Sequence, residues 1–110
     1  PGTDFKKIID MPLKNEIAAL VIETLVENNA EIKSPLLQSP TLETVLFWKG
    51  GVLDSLELVK LISDLEENVF QKFGKQITLA DEKAMSLRAS PFKTVKTLVD
   101  YINRLLIEKI

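Results

Sequence analysis

Ser55 is the residue whose type and surroundings most suggest chemistry. It follows Asp54 and precedes Leu56, just after the Gly50-Gly51 doublet. Asp is a preferred N-cap, and Glu57 three residues on completes a capping-box spacing. The Ser55 hydroxyl is therefore expected in the first turn of a helix, pointing outward, with Leu56 and Val59 turned to the core side to hold it so. A helix start has free N–H groups and the positive end of the dipole, so it favours anions. A phosphate ester on Ser55 would be well placed there. Read alone, Asp54-Ser55-Leu56 is far more often a plain helix start, since Asp and Ser are preferred cap residues. Asp64, Glu66 and Glu67 would need a cleft to act as acid or base, and their spacing suggests a solvated helix face instead. Gly50-Gly51 lacks the spacing and the lysine of a phosphate loop. Phe47 and Trp48 border a loop, where aromatics more often anchor the chain than form an exposed contact.

The chain has no Cys and no His. Disulfides, thiolate metal sites and a protein-borne thiol nucleophile are excluded, and the commonest general base and metal ligand are missing. Ordinary enzyme chemistry is not expected. The net charge of −2 gives no bulk basic field for nucleic acid. The charge is nonetheless uneven. Residues 54–67 carry Asp54, Glu57, Asp64, Glu66 and Glu67 against Lys60 alone, whereas 68–110 carry eight basic residues against four acidic ones. Such asymmetry can steer partners, although charged helix faces also simply solvate a fold.

The helices around Ser55 are read from apolar spacing. The 110 residues suit one domain, and 45% hydrophobic with 27% charged residues is a globular rather than a disordered balance. Ile17, Val21 and Leu25 recur every four residues and predict a helix over 14–29, ended by Asn28-Asn29. Residues 30–53 hold Pro35, Pro40, Gly50 and Gly51 and read as a long connection, with a short helical turn over 41–47. After Asp54, the residues Leu58, Ile62, Leu65, Val69 and Phe73 make one helical stripe that Gly74 ends. Thr78 is placed to cap a short third helix around 79–85. Ser90-Pro91 reads as the start of a last helix with proline at its first position. Val95, Leu98, Val99, Ile102, Leu105 and Leu106 form its apolar face. Leu58, Ile62, Leu65, Val99 and Ile102 are expected to be buried. The predicted class is all-α, a small four-helix bundle of three main helices and one short one. No apolar run approaches the ~20 residues of a membrane span, and the N-terminal stretch is too short and interrupted for a secretory signal.

With these elements in order, the stretch 50–62 resembles the attachment motif of acyl carrier proteins, with Asp54-Ser55-Leu56 matching its Asp-Ser-Leu core. Glu66-Glu67 and the run from Phe73 to Ile77 look like the end of that family's second helix and the following loop. The run from Ser90 to Val95 and on to Ile102 looks like its last helix. The resemblance covers about residues 14–106. It implies a small helical carrier domain over 14–110, preceded by residues 1–13 as an N-terminal extension that is a candidate for flexibility.

By this resemblance Ser55 carries 4′-phosphopantetheine, donated by coenzyme A and attached by a phosphopantetheinyl transferase. An acyl group is then held as a thioester on the arm's own thiol, which suits a chain without cysteine. Asp54, Leu56, Glu57 and Lys60 would form the motif and the surface that partners read, these being the transferase and the acyl-loading and acyl-processing enzymes. A monomeric, cytoplasmic carrier without enzymatic activity of its own is implied, serving fatty-acid, specialised lipid or secondary-metabolite synthesis. The chain departs from the family in its length, in Lys60 within the acidic helix and in its basic C-terminal third. The Gly50-Gly51 doublet is similar to that of D-alanyl-type aminoacyl carriers. An aminoacyl or peptidyl carrier, and an unmodified helical interaction module, stand as the alternatives.

Overall fold

The structure, a computed structural model, describes residues 3–47, 51–79 and 91–108. Helix α1 (Thr3–Ile32) is longer at both ends than the 14–29 its apolar spacing predicts, and it runs through Pro12. Asn28-Asn29 does not stop it, because the Asn28 Nδ2 group donates back to the Thr24 carbonyl at 2.9 Å and stays inside the helical pattern. The helix ends instead at Lys33, whose φ of +56° turns the chain into the left-handed region. The Lys33 N–H still donates to the Asn29 carbonyl (2.8 Å), and Asn29 Oδ1 accepts the Ser34 N–H (2.7 Å). Asn29 thus secures the exit rather than marking the last residue.

Helix α2 (Ser55–Phe73) begins at the predicted cap and ends at Gly74, with φ of +69° and its N–H donating to the Phe70 carbonyl. Glycine takes that conformation without a Cβ penalty. Helix α3 (Val95–Glu108) starts later than Ser90-Pro91 predicts. The reason lies in the preceding backbone. The Phe92 and Lys93 carbonyls accept the Phe47 and Leu46 N–H groups at 3.1 and 2.7 Å, and the Val95 and Lys96 N–H groups donate to the Thr44 and Leu42 carbonyls, so these groups are not free to pair within a helix that starts earlier. Thr94 then caps α3. Its Oγ1 accepts the Thr97 N–H (3.1 Å), and Thr97 Oγ1 accepts the Thr94 N–H (3.0 Å), a reciprocal box built from two threonines.

The connection between α1 and α2 is also organised differently from the helical turn expected over 41–47. A single turn, with the Thr44 N–H on the Thr41 carbonyl (3.1 Å), leads into extended chain, and Val45 pairs with Thr94 in an antiparallel bridge. The β-branched Thr44 and Val45 suit that conformation. A short 3-10 turn occurs earlier, at Pro35–Leu37, capped by Ser34. The short helix expected around 79–85 falls on residues 80–90, outside the described residues, and Thr78 and Leu79 just before them are not helical.

Among the described residues the regular structure is helical, with no strand, and no helix is long and apolar enough to cross a membrane. α1 packs against both α2 and α3. α2 runs antiparallel to α1, since Asn68 meets Thr24 and Asp64 meets Asn28. The core joins Ile17, Val21 and Leu25 of α1 to the five residues expected inside. Leu58, Ile62, Leu65, Val99 and Ile102 are all buried, none more than 4% exposed. The fully buried Leu37 and Leu46 tie the long connection to this core.

Candidate functional site

The start of α2 is fixed from below and from the side. Leu53 and Leu58 are both buried and anchor the chain on either side of the cap. The Leu53 N–H donates to the Leu46 carbonyl at 3.0 Å, tying the approach to α2 to the same extended segment that receives α3. Asp54 is extended, and its Oδ1 accepts the Glu57 N–H at 2.8 Å. Glu57 Oε1 accepts the Asp54 N–H at 2.9 Å, so the capping box is complete. Ser55 is then the first residue of α2, and it is exposed. Its N–H and that of Leu56 have no carbonyl one turn back, as in the first turn of any α-helix.

The expected orientation of the neighbours is corrected. Leu56 is 82% exposed and Val59 58%, so neither points to the core. Successive helical residues are about 100° apart. A core face made by Leu58, Leu61, Ile62 and Leu65 therefore leaves positions 56 and 59 outside. The outward position of Ser55 comes from the cap and from Leu53 and Leu58, not from these two side chains. Leu56 and Val59 instead leave an exposed apolar pair near Ser55, and Phe70, 52% exposed, lies apart from them further along α2. Beside Phe70 a surface cavity of about 430 Å³ opens between α2 and residues 76–78, lined also by Ser63, Glu66 and Ile77.

The other residues singled out by sequence do not converge on Ser55. The Glu57 carboxylate is engaged in the cap. Lys60 Nζ reaches Asp64 Oδ2 at 3.1 Å and Asn28 Oδ1 at 3.3 Å. Glu66 Oε2 accepts the Leu79 N–H at 2.7 Å and so holds the segment after Gly74. Glu67 Oε1 accepts from Gln71 Nε2 at 3.4 Å. The carboxylates of α2 thus serve local structure, and among the described residues no group of acidic side chains is disposed to hold a metal ion. Phe47 packs partly buried against the core. Trp48 and Gly50 lie outside the described residues.

Sequence reasoning missed a polar seam between α1 and α2. Thr24 and Asn28 are buried, at 1% and 5% exposure. Thr24 Oγ1 donates to the Leu20 carbonyl (2.7 Å) and accepts from Asn68 Nδ2 (3.0 Å). Asn28 Nδ2 is shared with Asp64 Oδ2 (3.0 Å). The signal was present, since both residues sit at helical spacing from Val21 on the apolar face of α1.

No family model, no curated protein and no solved structure matches this chain.

Proposed function

We propose that the protein is an acyl carrier whose Ser55 takes a 4′-phosphopantetheine arm from coenzyme A. One observation carries the reading: an exposed serine opens α2 immediately after a complete Asp54–Glu57 capping box, with Leu56 exposed beside it. A hydroxyl in that position is rigidly presented, open to an approaching enzyme, and next to first-turn N–H groups that favour an anionic ester. The exposed pair of Leu56 and Val59 gives the arm and a partner enzyme an apolar surface on which to lie.

In the attachment step the Ser55 Oγ attacks the β-phosphorus of coenzyme A. A new O–P bond forms, the pyrophosphate P–O bond breaks, and adenosine 3′,5′-bisphosphate leaves. The hydroxyl proton passes to a base of the transferase, which also supplies the metal ion. The arm, once attached, contributes the thiol on which the acyl thioester is held. The residues of this chain present, orient and surround the hydroxyl: Asp54 and Glu57 through the cap, Leu53 and Leu58 through their burial.

The test is the intact mass of the purified protein after incubation with coenzyme A and a broad-specificity phosphopantetheinyl transferase. Wild type gains one arm. Ser55→Ala gains none and keeps its helical circular dichroism. A wild-type protein that stays unmodified is a helical interaction module in which Asp54-Ser55-Leu56 only caps a helix.

A further inference from the structure

We propose that Lys60 is a positioning residue that staples the first turns of α2 to α1, and not a charge that partner enzymes read. The proposal rests on the carrier reading for its functional consequence.

Lys60 lies one turn beyond Leu56 and would be taken, from the sequence, as part of the surface around Ser55. Its side chain is half exposed, and the ammonium group makes two bonds within the molecule. Nζ donates to Asn28 Oδ1 on α1 (3.3 Å) and to Asp64 Oδ2 on α2 (3.1 Å), while Asn28 Nδ2 donates to the same Asp64 oxygen (3.0 Å). The three side chains close a triangle across the helix pair. Asn28 is 5% exposed, so its carbonyl oxygen has little access to water and loses a donor if Lys60 is removed. The position of this triangle gives it leverage. Between the last turn of α1 and the first turns of α2, apolar packing leaves a cleft of about 200 Å³ lined by Asn28, Glu31, Ile32, Glu57 and Lys60. Lys60 and Asn28 link the two helices beside this cleft. Glu57, on the same cleft, holds the cap of α2. The link therefore bears on the placement of the capped turn, and with it on the Ser55 hydroxyl.

A double-mutant cycle on arm attachment tests this, using coenzyme A and the transferase, with kcat and KM for the carrier measured at low and high salt. Lys60→Met and Asn28→Ala should each lower kcat about threefold to tenfold with KM little changed, and added salt should not restore the rate. The double variant should be no slower than the slower single one, because both remove the same link. Lys60→Arg, which keeps a donor, should return kcat to within about twofold of wild type. A Lys60→Met variant that raises KM alone, with the effect fading as salt rises, shows a charge read by the enzyme and overturns the proposal. So do additive effects in the cycle. A wild type that takes up no arm refutes the carrier reading instead. The staple is then judged by hydrogen exchange at the Leu58 amide, which should quicken in Lys60→Met and in Asn28→Ala; unchanged exchange in either overturns it.

Discussion

The starts of α2 and α3 use the same local chemistry for different ends. Each has a polar cap whose side chain accepts the N–H three residues on, with the reciprocal bond returned: Asp54 with Glu57, and Thr94 with Thr97. Both are reached through residues 44–47, which bond to Val52 and Leu53 on one side and to Phe92, Lys93 and Val95 on the other. The residues just after the two caps differ. After Asp54 come two exposed residues, Ser55 and Leu56. After Thr94 comes Val95, fully buried, and the Thr97 hydroxyl is further occupied by the Pro91 and Thr94 carbonyls at 3.0 and 2.9 Å. A capped helix start is therefore not in itself a functional feature. The carrier proposal rests instead on a serine hydroxyl left exposed at the start of α2.

The sharpest stability contrast lies within α2. Leu58→Ala should cost ~2–5 kcal/mol as a large-to-small change in the core. Leu56→Ala, two residues away, should change stability by less than about 0.5 kcal/mol, as exposed substitutions do. Chemical denaturation of both variants checks the helix phase, and equal losses would show it to be wrong.

The two caps come next. Asp54→Ala and Thr94→Ala should each destabilise by about 1 kcal/mol, the ordinary cost of losing a cap. Arm attachment separates them. Asp54→Ala should also slow it, while Thr94→Ala should leave it close to wild type at a temperature where both variants stay folded.

Smaller effects belong to the two left-handed residues that end α1 and α2. Gly74→Ala should cost roughly 1 kcal/mol, because a Cβ is strained at its φ of +69° although nothing lies within 4 Å to clash with it. Lys33→Gly should do the opposite and stabilise by a few tenths up to ~1 kcal/mol, since relief of strain at φ +56° is partly offset by the greater freedom of glycine in the unfolded chain. Thermal melts of the two variants should therefore move in opposite directions.

Much of this arrangement is legible in the sequence where a local rule acts alone. The stripe from Leu58 to Val69, the Asp54–Glu57 box and the stop at Gly74 each depend on a few neighbouring residues. Legibility fails where distant backbone competes. Pro91 is a good first helical residue, yet the carbonyls just after it are needed by the 46–47 segment, and that long-range pairing delays α3 to Val95. Leu56 and Val59 mislead for another reason. Apolar type suggests burial, but helix α2 has more apolar positions than its core face can take, and the surplus lies outside near Ser55. Asn28 looks like a helix stop because asparagine often is one. Here Asp64 and Lys60 on a second helix give its amide partners, so it stays helical and buried.

Peptide-level mass spectrometry of transferase-treated protein decides whether the open start of α2 carries the arm. The expected result is a single phosphopantetheine adduct, found on the peptide containing Asp54-Ser55-Leu56 and lost from Ser55→Ala. An adduct on any other serine, or one that persists in Ser55→Ala, contradicts the assignment.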